Sequence, residues 1–275
     1  MKIAIDLGGT NIRVALIEEE MVKKLVSSHC PADSGQEVVL ESIYLLIDQI
    51  INSEVNCIGI GVPSVVDSLE GIVYNVANIP SWVEVPIKQL LEDRYHVAVY
   101  VNNDANCFVL GAKTLLNISS ANIVGLTLGT GLGCGLYLNH QLYNGSNTGA
   151  GEIGIIPYLN HDYEYYCSTP YFENELNISS KILGDLAKKG DLVSLEQWAN
   201  FGKHIGELCK AVLYMYDPDV IVIGGGISSA FPYFIDAVWK TLDDFAYPNI
   251  LKKVRIEVCN DSLTGLLGVA SLCND

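Results

Sequence analysis

The feature that most constrains this chain is a short pattern that occurs twice. An apolar strand runs into a turn of glycines and threonine, and a second apolar strand runs back, at residues 3–17 and again at 123–138. Each copy is followed by alternating helix and strand patterns. After the first, Val38, Val39, Ile43, Leu46, Ile47 and Ile50 recur at helical spacing and predict a helix over 37–51. A buried strand is predicted over 57–62, a helix over 86–95 with Pro86 in its first turn, a strand over 97–101 and a helix over 104–113. After the second copy come helices over 178–188 and 195–216, a strand over 220–223, a helix over 233–244, a strand over 254–258 and a helix over 263–272. Strands and helices that must cover each other's apolar faces, arranged as two similar sets, predict an α/β fold of two lobes around a central cleft. The 275 residues suffice for two cores, and no low-complexity linker parts the halves.

Charge excludes several functions. Thirty-two acids against 16 bases give a formal net charge of −16, and no Lys/Arg cluster offsets it. Such a surface repels nucleic acid and anionic membranes. No apolar run reaches spanning length, and Met1-Lys2 leads directly into the strand Ile3-Ala4-Ile5 rather than into a signal sequence. The eight cysteines are scattered without a C-x-x-C pair, so they are expected to be reduced core residues of a cytoplasmic protein, forming neither disulfides nor a zinc site.

Five segments carry chemistry. In Asp6-Leu7-Gly8-Gly9-Thr10-Asn11, two glycines between strands can aim several N–H groups at one point, a nest suited to phosphate oxygens. Thr10 adds a hydroxyl, and Asp6 at the strand end suits Mg²⁺ held through water. Alone, this is also how an ordinary hairpin looks. Leu128-Gly129-Thr130-Gly131-Leu132-Gly133 repeats the arrangement, and two such loops favour phosphate over a plain turn. In Val220-Ile221-Val222-Ile223-Gly224-Gly225-Gly226, a buried strand ends in backbone bare enough for a flat ring to lie against. Asp104, in Asn102-Asn103-Asp104-Ala105-Asn106, stands between strand and helix, where it can act as a general base or as a helix cap. Glu152 lies among small residues in Gly149-Ala150-Gly151-Glu152-Ile153-Gly154 and can accept bonds from hydroxyls. The G-x-x-x-x-G-K-[ST] pattern is absent.

In this order and at these distances, the five segments resemble the ROK family of sugar kinases and repressors, in the hexokinase–actin superfamily. The resemblance covers nearly the whole chain. It implies two ribonuclease-H-like (actin-like ATPase) lobes around a cleft, the first of residues 1–103 plus 263–275 and the second of 104–262. It implies ATP and Mg²⁺ as cofactors. Asp6, Gly8, Gly9, Thr10 and Asn11 correspond to the first phosphate loop, Gly129, Thr130, Gly131 and Gly133 to the second, and Gly224, Gly225 and Gly226 to the adenosine segment. A hexose substrate is implied, with Asp104 as the catalytic base and Asn78, Asn103, Asp104 and Glu152 at the sugar. The 6-hydroxyl of glucose, allose or an N-acetylhexosamine is the expected acceptor. A homodimer is implied by resemblance alone.

The chain departs from the family at the sugar side. Where the family follows Glu-x-Gly with a His that touches sugar and zinc, Ile155 stands here. The cysteine-rich zinc loop is replaced by a tyrosine-rich stretch, residues 157–167, whose one Cys and one His cannot close a structural zinc site. The tyrosines are expected to pack in its place. After that loss Glu173 aligns best with the family's second sugar-binding Glu, with Glu175 as the fallback. Ser64 also replaces a common Gly. Two other readings stay open: a sugar-binding pseudokinase, and a kinase of the same superfamily acting on a non-sugar hydroxyl. A repressor is disfavoured by the charge and by the absence of a helix-turn-helix before the first strand.

Overall fold

The computed structural model describes residues 1–147 and 149–274. The chain forms two compact units, Met1–Ile118 with Asn144–Ala150 and Asp261–Asp275, and Ser119–Tyr143 with Gly151–Asn260.

In the first unit, β1 (Lys2–Leu7), β2 (Asn11–Glu18) and β3 (Met21–His29) form an antiparallel meander, followed by α1 (Gln36–Asp48). β4 (Cys57–Val62) is buried at every residue. It lies parallel between β1 and β8 (Ala98–Asn103), where side chains on both sheet faces must be apolar. β5 (Val65–Asp67), β6 (Ile72–Tyr74) and β7 (Glu84–Val85) make a small separate sheet. α2 (Ile87–Tyr95), β8 (Ala98–Asn103) and α3 (Asp104–Leu115) follow. Ile3, Ile5, Ile43, Ile47, Ile58 and Trp82 sit in one fully buried core. Each such side chain contributes about 1.5–3 kcal/mol relative to exposure.

The second unit repeats the plan. β9 (Ile123–Leu128), β10 (Leu132–Leu138) and β11 (Gln141–Leu142) form the meander. A short hairpin, β12 (Pro157–Tyr158) and β13 (His161–Asp162), leads into α4 (Tyr163–Cys167). Then come α5 (Ser180–Lys188), α6 (Leu192–Tyr216), β14 (Val220–Gly224), α7 (Phe231–Leu242), α8 (Pro248–Leu251) and β15 (Arg255–Val258). The last α-helix, α9 (Thr264–Ser271), belongs to the first unit.

The two large sheets have the same order, β3-β2-β1-β4-β8 and β11-β10-β9-β14-β15. Within each, the first three strands are antiparallel and the last two join in parallel. The repeat seen at residues 3–17 and 123–138 therefore extends over whole sheets.

Two expectations change. The units part after Ile118, not at 103/104, because α3 stays with the first unit. α3 crosses α9 at backbone contact: a Cβ on Gly111 would overlap the Thr264 carbonyl, and one on Gly268 the Cys107 carbonyl. Cys57 and Cys273, expected to be reduced, form a disulfide with Cα atoms 6.4 Å apart. They are 216 residues apart in sequence and meet because α9 packs on β1 and β4, a tertiary contact that no local spacing signals. Among the described residues, the other six cysteines are buried and lie outside this disulfide. No helix among the described residues is long and apolar enough to cross a membrane.

Candidate active site

In the first unit the chemistry gathers at the C-terminal edge of the sheet. Strand register sets Asp6, Gly61 and Asn102 in one row across β1, β4 and β8. This edge is where parallel strands present backbone and side chains to ligands. The carboxylates of Asp6 and Asp104 both act on the buried Cys107 thiol, whose pKa is raised first by burial and then by these two charges. Asp104 follows the end of β8 that lies in register with Asp6, so the expected metal-binding and base carboxylates share this edge.

The glycine turn after β1 is closed by Gly8 N–H donating to the Asn11 carbonyl at 2.9 Å. Gly8 thus shapes the loop, and Gly9 and Thr10 are left to supply its outward N–H groups. Asn78 abuts this loop; a Cβ on Gly9 would run into it. The Asn78 segment is held from below by Ile79 and Trp82, both fully buried, with Trp82 N–H donating to the Ile79 carbonyl at 2.9 Å.

Asp6 lies opposite Arg13 in the β1–β2 register. Arg13 donates through Nε at 3.1 Å and through Nη2 to the same oxygen, Oδ2. Its Nη1 donates to the Ser262 carbonyl at 2.7 Å. The other carboxylate oxygen, Oδ1, is the one left for a metal-bound water, so the residues fit a water-mediated Mg²⁺.

Asn103, not Asp104, caps α3. Its Oδ1 accepts from Ala105 N–H at 2.8 Å and Asn106 N–H at 3.4 Å, and its Nδ2 donates to the Ser64 carbonyl at 3.1 Å. Asp104 is the first helical residue and is exposed, with Oδ1 accepting from Ala105 N–H at 2.8 Å. The cap requirement is met by its neighbour, so the carboxylate at position 104 is not there to cap. Beneath it, Asn106 Nδ2 donates to Asn102 Oδ1 at 2.9 Å and to Asn144 Oδ1 at 3.0 Å.

In the second unit, the second glycine loop and the segment expected to hold adenosine share one cavity of about 720 Å³. Gly129 and Thr130 line it from the loop, Gly226 and Tyr233 from the segment after β14, and Lys181 and Asp185 from α5. The floor turns at Gly225, whose φ of +84° and close approach to the Leu128 carbonyl require glycine. Lys181, Asp185 and Tyr233 escaped the sequence reading. The available signal was the polar face of α5, with Lys181, Asp185 and Lys188 at helical spacing.

The loop is buttressed from one side. Thr169 donates to the Gly129 carbonyl through N–H at 2.9 Å and Oγ1 at 2.8 Å. Glu164 Oε2 accepts from Leu132 N–H at 2.9 Å. Glu164 also acts on Glu152, whose pKa is raised by desolvation first and by the Glu164 charge second. Glu173, by contrast, is exposed on the turn Tyr171–Glu175, and Glu175 accepts from Tyr165 Oη at 2.9 Å. Glu164 is thus the acid whose charge acts on Glu152.

A protein-family model described as the ROK family matches residues 2–275. The chain belongs to the ROK family. The glucokinase of Thermotoga maritima is 28% identical to this ROK protein over 309 residues, 99% of this chain and 97% of that one. The N-acetyl-D-glucosamine kinase of Haemophilus influenzae is 28% identical over 287 residues, 93% and 92% of the two chains. A crystal structure of a ROK family glucokinase from Streptomyces griseus in complex with glucose and AMPPNP superposes with a TM-score of 0.80 at 23% identity, covering 98% of each chain. The fold is the actin-like ATPase fold of ROK proteins.

The residues of this ROK protein do not fit the family's zinc. Among the described residues, no group of three or more His, Cys, Asp or Glu could hold a metal ion. Cys167 is fully buried with its thiol pKa pushed well up by burial, and His161 is stacked on Tyr165 at 3.9 Å between ring centroids. Ile155, where the zinc- and sugar-binding His is expected, is 69% exposed.

Proposed function

We propose that this ROK protein is an ATP-dependent sugar kinase that transfers the terminal phosphoryl group of ATP to a hexose hydroxyl, the 6-hydroxyl of glucose or of an N-acetylhexosamine. The observation that carries this reading is the edge of the first unit. An uncapping Asp104 stands there on the same strand ends as Asp6 and the Gly8–Asn11 loop. The family and its named kinases are consistent with it.

In this reading Asn78 and Glu152 hold sugar hydroxyls, with Glu164 in the place expected for Glu173. Asn103 contributes mainly by fixing Asp104, since both ends of its amide are engaged within the protein. Asp104 takes the proton of the acceptor hydroxyl, that oxygen forms the new bond to phosphorus, and ADP leaves. The Gly9–Thr10 loop and the Thr130–Gly131 loop each offer N–H groups suited to phosphate oxygens. The cavity beside Lys181, Asp185, Gly226 and Tyr233 takes the nucleoside. Mg²⁺, reached from Asp6 through water, supplies charge neutralisation on the polyphosphate.

The test is ADP release with MgATP over glucose, allose, mannose, fructose and the N-acetylated hexosamines. Hexose-dependent release by one of them supports the reading. ATP binding without turnover of any sugar points instead to a sensor, the reading that exposed Ile155 would favour.

A further inference from the structure

The tyrosine-rich stretch is organised around one residue outside it. His204, on α6, is ringed by Tyr166 at 4.9 Å, Tyr171 at 5.3 Å and Tyr158 at 5.9 Å between centroids. Tyr158 Oη lies 3.2 Å from His204 Nδ1. Tyr163 stacks on Tyr158 at 4.5 Å with planes 7° apart.

This cluster is joined to the candidate site by α4. That helix has only five residues, too few to hold its own shape, so its place is fixed by what it packs on. Asp162 caps it, accepting from Tyr165 N–H at 2.8 Å, and Tyr166 and Cys167 are buried behind it. Its other side carries Glu164 to the Leu132 N–H, and the chain just beyond carries Thr169 to the Gly129 carbonyl. Three bonds to the second glycine loop therefore issue from a segment seated on α6 by rings around His204.

We propose that His204 is a positioning residue: through Tyr158 and Tyr166 it seats α4, and so sets the shape of the Gly129–Leu132 loop without a metal ion. The proposal rests on the kinase reading only for what the loop binds. Ring stacking of this kind adds to what buried area alone contributes, and in a cluster it holds so short a helix in place.

The experiment compares wild type with His204→Phe, which keeps an aromatic ring and loses the bond to Tyr158, and Tyr158→Phe, which loses only the hydroxyl. Two readouts are taken: hydrogen–deuterium exchange of the peptide spanning residues 129–133, and binding of AMPPNP with Mg²⁺ by calorimetry. Both variants should exchange that peptide about fivefold to tenfold faster, the loss expected for one buried hydrogen bond. Peptides over β14 and over the first unit should be unchanged, and AMPPNP binding should weaken by a similar factor. Unchanged exchange at 129–133, or an equal rise in every peptide, overturns the proposal. So does a loss of loop protection in wild type treated with a strong zinc chelator and restored by zinc. Wild type that binds no AMPPNP refutes the kinase reading instead, and the exchange comparison still decides the role of His204.

Discussion

Arg13 grips Asp6 by a single oxygen. Nε and Nη2 both reach Oδ2 across the β1–β2 pair, and Nη1 reaches the Ser262 carbonyl just before α9. The carboxylate is thereby fixed in rotation, with Oδ1 presented to whatever lies beyond the strand end. Arg13→Gln should leave ATP affinity without Mg²⁺ nearly unchanged. It should cut the gain in affinity on adding Mg²⁺ by about tenfold, since a charge-assisted bond of ~1.5–3 kcal/mol is lost. Calorimetric titration of ATP with and without Mg²⁺ checks this. A larger Mg²⁺ gain would mean that Arg13 competes with the metal.

Glu152 and Glu164 interact as like charges, after desolvation the second reason that the Glu152 pKa is raised. A raised pKa means that Glu152 takes up its proton at higher pH, so sugar affinity should fall away on the acid side earlier than for an ordinary carboxylate. Removing the neighbouring charge favours the Glu152 carboxylate. Glu164→Gln should therefore move the acid limb of the hexose-binding profile to lower pH, measured as hexose affinity against pH. A limb that stays in place would show that Glu164 does not face Glu152.

His204 carries a pKa below its ordinary 6.5, lowered by burial and by Lys203 against the opposing pull of Glu175 and Glu207. Between the depressed folded value and 6.5, the unfolded chain binds the proton more than the folded one does. Stability should therefore fall as pH drops through that window and be fully present above it. Thermal melts should show a steeper acid loss for wild type than for His204→Phe. Parallel curves would contradict this.

The disulfide makes a simple count. Of eight cysteines, six lie outside the disulfide, so denatured, unreduced protein should titrate six thiols and reduced protein eight. Cys273→Ser should lower unfolding stability by about 2–4 kcal/mol, the usual worth of closing a long loop. Eight thiols without reductant would contradict the pairing.

Much of the fold was legible because its signals are local. The two glycine turns between apolar strands, and the helical spacing of Val39, Ile43, Leu46 and Ile47, give elements that the structure reproduces within a few residues. What was not legible depends on tertiary contact. The α3–α9 crossing rests on Gly111 and Gly268, far apart in sequence, and it sets the boundary between units. At the sugar side the lost cysteines remove the landmark for counting, and the sequence points to Glu173, with Glu175 as the fallback, without singling out Glu164. Only the packing of α4, which sets Glu164 on Leu132, does so. Lys181, Asp185 and Tyr233 are ordinary polar helix residues until folding lines a cavity with them.

The most direct test of the kinase reading is the hexose-dependent rate of ADP release by wild type and Asp104→Asn, with folding and AMPPNP affinity measured in parallel. The amide keeps the size of the side chain, and Asn103 still caps α3, so fold and nucleotide binding should persist. Turnover should fall by at least about a hundredfold, the lower end of what a general base contributes. Asp104→Asn that keeps most of the wild-type rate would contradict the account.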